Sequence, residues 1–477
     1  MKEIFLKISL IAAVVLTATV QTANARIWRV NNNPGKSADF TNLTDALRSL
    51  NGSALNSVQA GDTIHLEGSV TAYGKDNGEA DTIARKVVLI GPGYLLSANP
   101  QTQHFQESAK IRTIYIAPTA EETVIAGVEQ VAPSSTFYTT GTYSLLSLYR
   151  NFSTYSSASN PLLNVSWGND AGAYKLRIEA DFVIVSHCKL FYVDLHNVNK
   201  ELTNITITKC FFNPGMVATA GDKPVKNLII SNNFFRNDYL TTTNTGNTSY
   251  QRNYGNHFCY VTIDLRHWQL TTVNSLEPWH TLTPENWIKV YNENFTYPAV
   301  NPIIQNNTFF HAFSIEAKGA SLYNNIFFPR TNNPERYGLP QDASNPHIAR
   351  NNIIFNGIAW NTNITAGIDY SNNYGGMLND GNNSYNVSAE ASWFVASTNA
   401  AQQGVDNSFQ LGNASPARDQ TDLNNATKQR GMYGGLSPYK LSGLYTIPAV
   451  WEISIPAYPS GEVPSTGFEV RVQVKSH

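Results

Sequence analysis

Along the middle of the chain, apolar and polar positions alternate in a unit that keeps returning. In Asn227-Leu-Ile-Ile-Ser-Asn-Asn-Phe-Phe235 a short apolar run meets two asparagines and then two phenylalanines. The frame recurs at Asn301-Pro-Ile-Ile-Gln-Asn-Asn-Thr-Phe-Phe310, Ala320-Ser-Leu-Tyr-Asn-Asn-Ile-Phe-Phe328, His347-Ile-Ala-Arg-Asn-Asn-Ile-Ile-Phe355 and, more weakly, Gly367-Ile-Asp-Tyr-Ser-Asn-Asn-Tyr374. Two earlier copies, Val183-Ile-Val-Ser-His-Cys-Lys-Leu-Phe191 and Ile205-Thr-Ile-Thr-Lys-Cys-Phe-Phe212, place cysteine where the second asparagine stands later. Between equivalent residues the steps are 22, 23, 74, 18, 27 and 21 residues, from Cys188 to Asn373. Such a period is too short for two helices per repeat, and its β-branched and aromatic residues call for strands. Regular leucines, which a leucine-rich horseshoe needs, are missing, so the pattern predicts a parallel β-solenoid.

The repeated asparagines follow from the geometry of a coil. A polar side chain turned inward at a corner finds partners if the same residue lies one strand above, at ~4.8 Å, donating one way and accepting the other. Asparagine also tolerates the left-handed backbone of a tight corner. The Phe pair is expected to start the next strand and stack in the core. These residues are therefore scaffold.

Before the repeats, Arg26-Ile-Trp-Arg-Val30 reads as a strand. Phe40 to Leu50 reads as an amphipathic helix with Phe40, Leu43, Ala46, Leu47 and Leu50 on one face, suited to cover the open end of a solenoid. Ala60-Gly-Asp-Thr-Ile-His-Leu66 returns as a strand. The alternation is lost between Val131 and Ala173, which is either a decorated coil or an inserted loop. After the repeats, Trp451-Glu-Ile-Ser-Ile455 and Phe468-Glu-Val-Arg-Val-Gln-Val474 alternate strictly and read as two further strands.

Composition narrows the functional classes. Of 477 residues, 42% are hydrophobic and 14% charged, with a formal charge of −2, which allows a large core and argues against a nucleic-acid partner held by a basic surface. Lys2 and Lys7 flank the start of the apolar run Ile8 to Val20, and Ala23-Asn-Ala25 supplies a small-x-small site, so residues 1–25 read as a cleaved signal peptide. No cysteine marks a lipoprotein and no later stretch is long enough to span a membrane. A secreted or periplasmic protein is expected. Three cysteines, Cys188, Cys210 and Cys259, do not make a disulfide framework, and no Cys or His pair has zinc spacing. Cys188 and Cys210 are either two stacked buried thiols or, after export, a bridge.

The cap, the coil length, the Asn-Asn-x-Phe ladder and the closing segment resemble the right-handed parallel β-helix of the pectin-lyase-like superfamily. The resemblance covers about residues 26–435, and implies an all-β fold with an N-terminal helical cap and a small C-terminal β module, residues 436–477. Phe409 to Asp419 followed by Arg430-Gly-Met-Tyr-Gly-Gly435 resembles the end of such helices, where loops seal the final coil. The superfamily holds lyases, hydrolases, esterases and proteins of no known activity, so function must come from a site. In the family, substrate lies across the strand after the Phe-containing one, where alternation turns Val193 and Leu195, and Phe313, Ile315 and Ala317, inward. Asp194, His196, Ser314, Glu316 and Lys318 then face outward, with Thr219, Asp222 and Lys223 in the corresponding region after Cys210.

That set allows two chemistries. A β-eliminating lyase needs a base and a cation that neutralises the uronate carboxylate, for which Lys318, Lys223, His196 and Arg266 are candidates. No cofactor is implied, save Ca²⁺ if the protein is a lyase. A glycosidase needs two carboxyls ~5–9.5 Å apart, and Asp222 and Glu316 would be ~10 Å apart if the long insertion stays outside the stack. The Asn-Thr-Asp, Gly-Asp-Asp and Gly-His-Gly sets of polygalacturonase-like hydrolases are absent, as is an Arg-rich lyase signature. The insertion at about 238–300 carries Trp268, Trp279 and Trp287 with Arg266 and His267, a composition suited to stacking on sugars. The expected partner is a polysaccharide, bound and, if the outward groups converge, cleaved. The alternative is a non-enzymatic surface, adhesion or glycan-binding protein.

Overall fold

In the computed structural model the described residues are 25–51, 57–75, 79–98, 106–131, 175–236, 261–265, 267–268, 295–310, 314–328, 348–350, 352–354, 412, 415, 429–439, 449–454 and 471–475. Residues 1–24 of the segment expected to be a signal peptide, the stretch 132–174, Asn373 and Cys259 lie outside them.

Strand pairing establishes the solenoid. One sheet stacks ten strands in parallel, from Ile27–Val30 through Thr63–Leu66, Val88–Ile90, Val124–Ala126, Ile184–Ser186, Thr206–Thr208, Ile229–Ser231, Ile303–Gln305 and Ser321–Tyr323 to Ile348–Arg350. Its central inward column is Ile64, Leu89, Ile125, Val185, Ile207, Ile230, Ile304 and Leu322, in register and without solvent exposure. Each such side chain contributes roughly 1.5–3 kcal/mol of burial, so the core is one continuous apolar column. A second parallel sheet faces the first, and a narrow third one, Leu202–Thr203, Val225–Lys226 and Ala299–Val300, closes the coils. The chain is thus an all-β parallel β-helix.

The corner between the first two sheets is held as the sequence predicts. Each ladder asparagine accepts on Oδ1 from the backbone N–H and the side-chain amide of the one before it. Asn233 donates to Asn307 at 2.9 and 3.1 Å, Asn307 to Asn325 at 2.9 and 3.1 Å, and Asn325 to Asn352 at 2.9 and 3.0 Å. The second amide hydrogen goes to a carbonyl of the neighbouring coil, that of Ile207, Ile230 or Ile304. The preceding residues, Asn232, Asn306 and Asn324, have φ near +55°, the left-handed corner. The ladder ends at Cys210, whose N–H donates to Asn233 Oδ1. Cys188 and Cys210 are free, buried thiols donating to the carbonyls of Ser186 and Thr208, and burial together with the neighbouring Cys188 pushes the Cys210 thiol up.

The two phenylalanines of each unit part company. Phe212, Phe235, Phe309 and Phe327 stack inward with ring centroids 4.6, 5.0 and 4.9 Å apart. Phe211 and Phe234, expected in the core beside them, face the other side of the sheet, because successive strand residues point to opposite faces. They are nonetheless buried. The segment 429–439 lies along this outer side: Gly431 N–H donates to Asn324 O, Met432 N–H to Thr308 Oγ1, and Asn232 Nδ2 to the carbonyls of Met432 and Gly434. Tyr439 then meets Tyr94, hydroxyl to hydroxyl, at 2.5 Å, and Tyr94 packs on Phe211. The closing segment therefore straps the flank of the solenoid, where the sequence suggested a seal over its last coil.

At the N-terminal end the helix is Leu43–Asn51, with Leu43, Ala46, Leu47 and Leu50 buried. It starts later than the apolar periodicity suggests. Phe40 is tied to the strand at Val30 by a bridge, and Asn42 caps the helix by accepting from Asp45 N–H at 2.7 Å and donating to its carboxylate. The two C-terminal strands exist as Ala449–Ser454 and Arg471–Lys475, paired antiparallel.

Candidate functional site

The second sheet changes register halfway along its strands. Lys189–Leu195 pairs with Phe211–Thr219 first through Leu190 and Phe212, then through Tyr192 and Met216, leaving Phe191 and residues 213–215 as a bulge. Gln130 Oε1 fills the gap by accepting from Phe191 N–H at 2.8 Å and Tyr192 N–H at 3.2 Å. In the next coil the rung is split into Phe234–Arg236 and Val261–Asp264, and in the one after into Thr308–Phe310 and Ser314–Glu316. The long insertion is thus two stretches, with Val261–Asp264 between them inside the stack. Bulges at one level of a sheet re-aim the side chains beyond them.

The candidate site lies immediately past this break. The second halves of the strands bring Tyr115, Arg177 and Asp194 into one outward column by register, while Ile116, Ile178 and Leu195 fill the core. Two residues further on, Glu179 and His196 lie side by side. Tyr115 Oη donates to Glu179 Oε2 at 2.9 Å, and Glu179 Oε1 is 3.4 Å from His196 Nε2. His196 Nδ1 is 3.7 Å from Asp194 Oδ2. That same oxygen receives Arg177 Nε at 3.2 Å and Lys175 Nζ at 3.5 Å. One imidazole thus separates two carboxylates, with two cations behind one of them.

Burial sets the electrostatics. Asp194 has 0% exposure and Glu179 7%, whereas the His196 and Arg177 side chains keep 14% and 25%. For Asp194, burial works to raise the pKa, but His196, Lys175 and Arg177 together outweigh it and hold the carboxyl at about 2. Tyr115 is pushed up to about 12, first by burial and then by its bond to the Glu179 carboxylate, so it stays a proton donor at neutral pH. Among the described residues, Asp194 Oδ1 and His196 Nδ1, both buried, meet no hydrogen-bond partner. Below Asp194 the next rung carries only Ala218, a small neighbour.

The residues singled out in the sequence are spread along this face. Asp194 and Glu316 occupy one column three rungs apart, through Ala218 and Asp264, which is ~14 Å at ~4.8 Å per rung. Lys318, just past that strand, lies with its ammonium 4.9 Å from the Tyr297 ring. Asp222 is half-exposed in the turn after Phe211–Thr219, 3.6 Å from Lys223. The structure brings His196 together with Asp194 and does not bring it together with Asp222. His267 and Trp268 form a two-residue strand antiparallel to Phe295–Thr296. Arg266, Trp279 and Trp287 lie outside the described residues. Tyr115, Lys175, Arg177 and Glu179 were not singled out, although Arg177-Ile-Glu179 set against Asp194-Leu-His196 carried the signal: two outward charged pairs on neighbouring rungs.

Among the described residues no three His, Cys, Asp or Glu side chains converge as metal ligands. Asp194 and Glu179 are already faced by Lys175, Arg177, His196 and Tyr115, and carboxylates so engaged do not suit a hard cation such as calcium. No helix among the described residues is long and apolar enough to cross a membrane.

No family model matches the chain, and no curated protein does. Among solved structures it is similar to a pectate lyase from Bacillus sp. N165, determined in complex with trigalacturonate, at 11% identity and a TM-score of 0.29, over 86% of this chain and 94% of that one. The fold assignment rests on the strand register above.

Proposed function

We propose that this is a secreted β-helix protein that binds polysaccharide along the outward face of its second sheet and cleaves it there, by elimination or hydrolysis. The observation that carries this reading is the half-buried cluster of Tyr115, Lys175, Arg177, Glu179, Asp194 and His196, placed just past the register break. Ionisable groups concentrated beside a bulge on an otherwise regular scaffold are where chemistry is expected. A polymer laid along the axis meets the same face at every rung, and the strand His267–Trp268 follows in sequence three residues after Asp264, which is in register with Ala218 and, through it, Asp194.

The test is direct. The full-length protein is incubated with polygalacturonate, alginate and xylan while unsaturated products are followed by ultraviolet absorbance and new reducing ends by colorimetry. Unsaturated product marks a lyase and reducing ends alone a hydrolase. Retention of a glycan without either leaves a binding module, and indifference to all glycans refutes the reading.

A surface-attachment role has one observation in its favour. The C-terminal hairpin of Ala449–Ser454 and Arg471–Lys475 pairs with no strand of the solenoid among the described residues. Deleting residues 440–477 would then release the protein from the cell, and retention of the truncated form would exclude attachment through the hairpin.

A further inference from the structure

We propose that His196 is the proton-transfer group of this face, held in its working orientation by Glu179 and Asp194; this rests on the reading of the face as a cleavage site. Of the six side chains, the two carboxylates are set aside by burial and by their partners. Asp194 is wholly buried and cannot touch a sugar, and its Oδ2 is shared by Arg177, Lys175 and His196. Glu179 has one oxygen on the Tyr115 hydroxyl and the other toward His196. A carboxyl pair working as acid and base needs one member neutral. The Asp194 carboxyl is held in its charged form by His196, Lys175 and Arg177, and Glu179 has both oxygens engaged.

The imidazole is different. Its Nδ1 is buried and turned to Asp194, leaving Nε2, beside Glu179, for exchange. An imidazole held between two carboxylates has its ring fixed in orientation, which a proton-transfer group requires. Glu179 and Asp194 act here as positioning residues, and Tyr115 positions Glu179.

The proton balance holds for either cleavage. In elimination, His196 takes the proton from the carbon next to the uronate carboxylate, the C–O bond to the departing sugar breaks as a C=C bond forms, and the imidazolium returns the proton to the departing oxygen. In hydrolysis the proton comes from the attacking water and goes to the same oxygen. No oxidant, reductant or further reactant enters.

His196→Gln and Glu179→Gln are compared with the unaltered full-length protein on whichever of polygalacturonate, alginate or xylan it cleaves, with melting curves and glycan retention on affinity gels as controls. The expected result is a fall in kcat of about 10²-fold or more for His196→Gln with retention unchanged. In Glu179→Gln, removing one of the charges around His196 (Glu179, Asp194, Arg177 and Lys175) moves the acid limb of the pH–rate profile to lower pH. Activity of His196→Gln within about threefold of the original overturns the proposal and leaves cleavage standing. If His196→Gln does not fold, an unmoved acid limb in Glu179→Gln overturns it. Glycan retained but never cleaved overturns it and leaves binding standing, and neither binding nor cleavage removes both readings.

Discussion

Asn307 Oδ1 accepts from both the backbone N–H and the side-chain amide of Asn233, at 2.9 and 3.1 Å, although 74 residues lie between them in sequence. At this corner the two coils are immediate neighbours. The chain between them gives one further strand, Val261–Asp264, to the second sheet, and the asparagine ladder runs on unbroken.

Asn325→Ala removes the acceptor for two donors of Asn307 and the donor to Ile304 O, all buried. Leaving them unsatisfied is expected to cost about 2–4 kcal/mol, read from urea unfolding. Asn325→Asp restores the acceptor but not the donor, and should recover only part of that loss.

The Asp194 carboxyl predicts an acid dependence with a definite sign. Its folded pKa of about 2 is below the ordinary 3.8, so its contribution is fully present above pH ~4 and is lost as pH falls through about 2. The stability difference between the protein and Asp194→Asn should be roughly 2 kcal/mol at pH 5–6 and shrink toward pH 2. A difference that does not change with pH would mean the charge is not what the site stabilises.

Gly431 has φ +76°, and a Cβ there would stand 2.5 Å from Ile326 Cδ1 and 2.9 Å from Thr308 Oγ1. Gly431→Ala should therefore lower stability by about 1–3 kcal/mol, through both backbone strain and the clash under the strap. Unfolding curves measure it, and binding of a hydrophobic dye would report exposure of Phe211 and Phe234.

Phe309 is sandwiched between Phe235 and Phe327 at 5.0 and 4.9 Å. Phe309→Ala should cost about 3–5 kcal/mol in the same unfolding assay, and Phe309→Leu distinctly less.

The scaffold was legible because its physics is local. A left-handed residue followed by an inward one, then alternation, fixes the corner and carries from Asn307 through Phe309 to Ile315 and Ala317. Val193 and Leu195, in contrast, reach the core because the bulge at Phe191 shifts the alternation begun at Cys188 and Leu190. The split rungs were not legible, since Val261–Asp264 declares itself only through its partners, Val217 and Ala218 on one side and Ile315 and Glu316 on the other. The cluster around His196 was half visible. Alternation turned Asp194 outward, but on a decorated solenoid an outward position is not the same as a wet one, and Asp194 is buried. Its partners Tyr115 and Arg177 fall on either side of the stretch 132–174, where the alternation fails and the stacking order cannot be counted.

A solenoid stabilised only by neighbouring coils can fray from either end, each coil answering to the next. Residues 429–439 change that arithmetic. Their groove runs from Asn324 back to Tyr94, and Tyr439 reaches a hydroxyl 345 residues earlier in the chain. The strap can dock only once those coils are in place, so losing any of them loosens its seat. A stack that would otherwise melt piecemeal is thereby expected to unfold as one cooperative body.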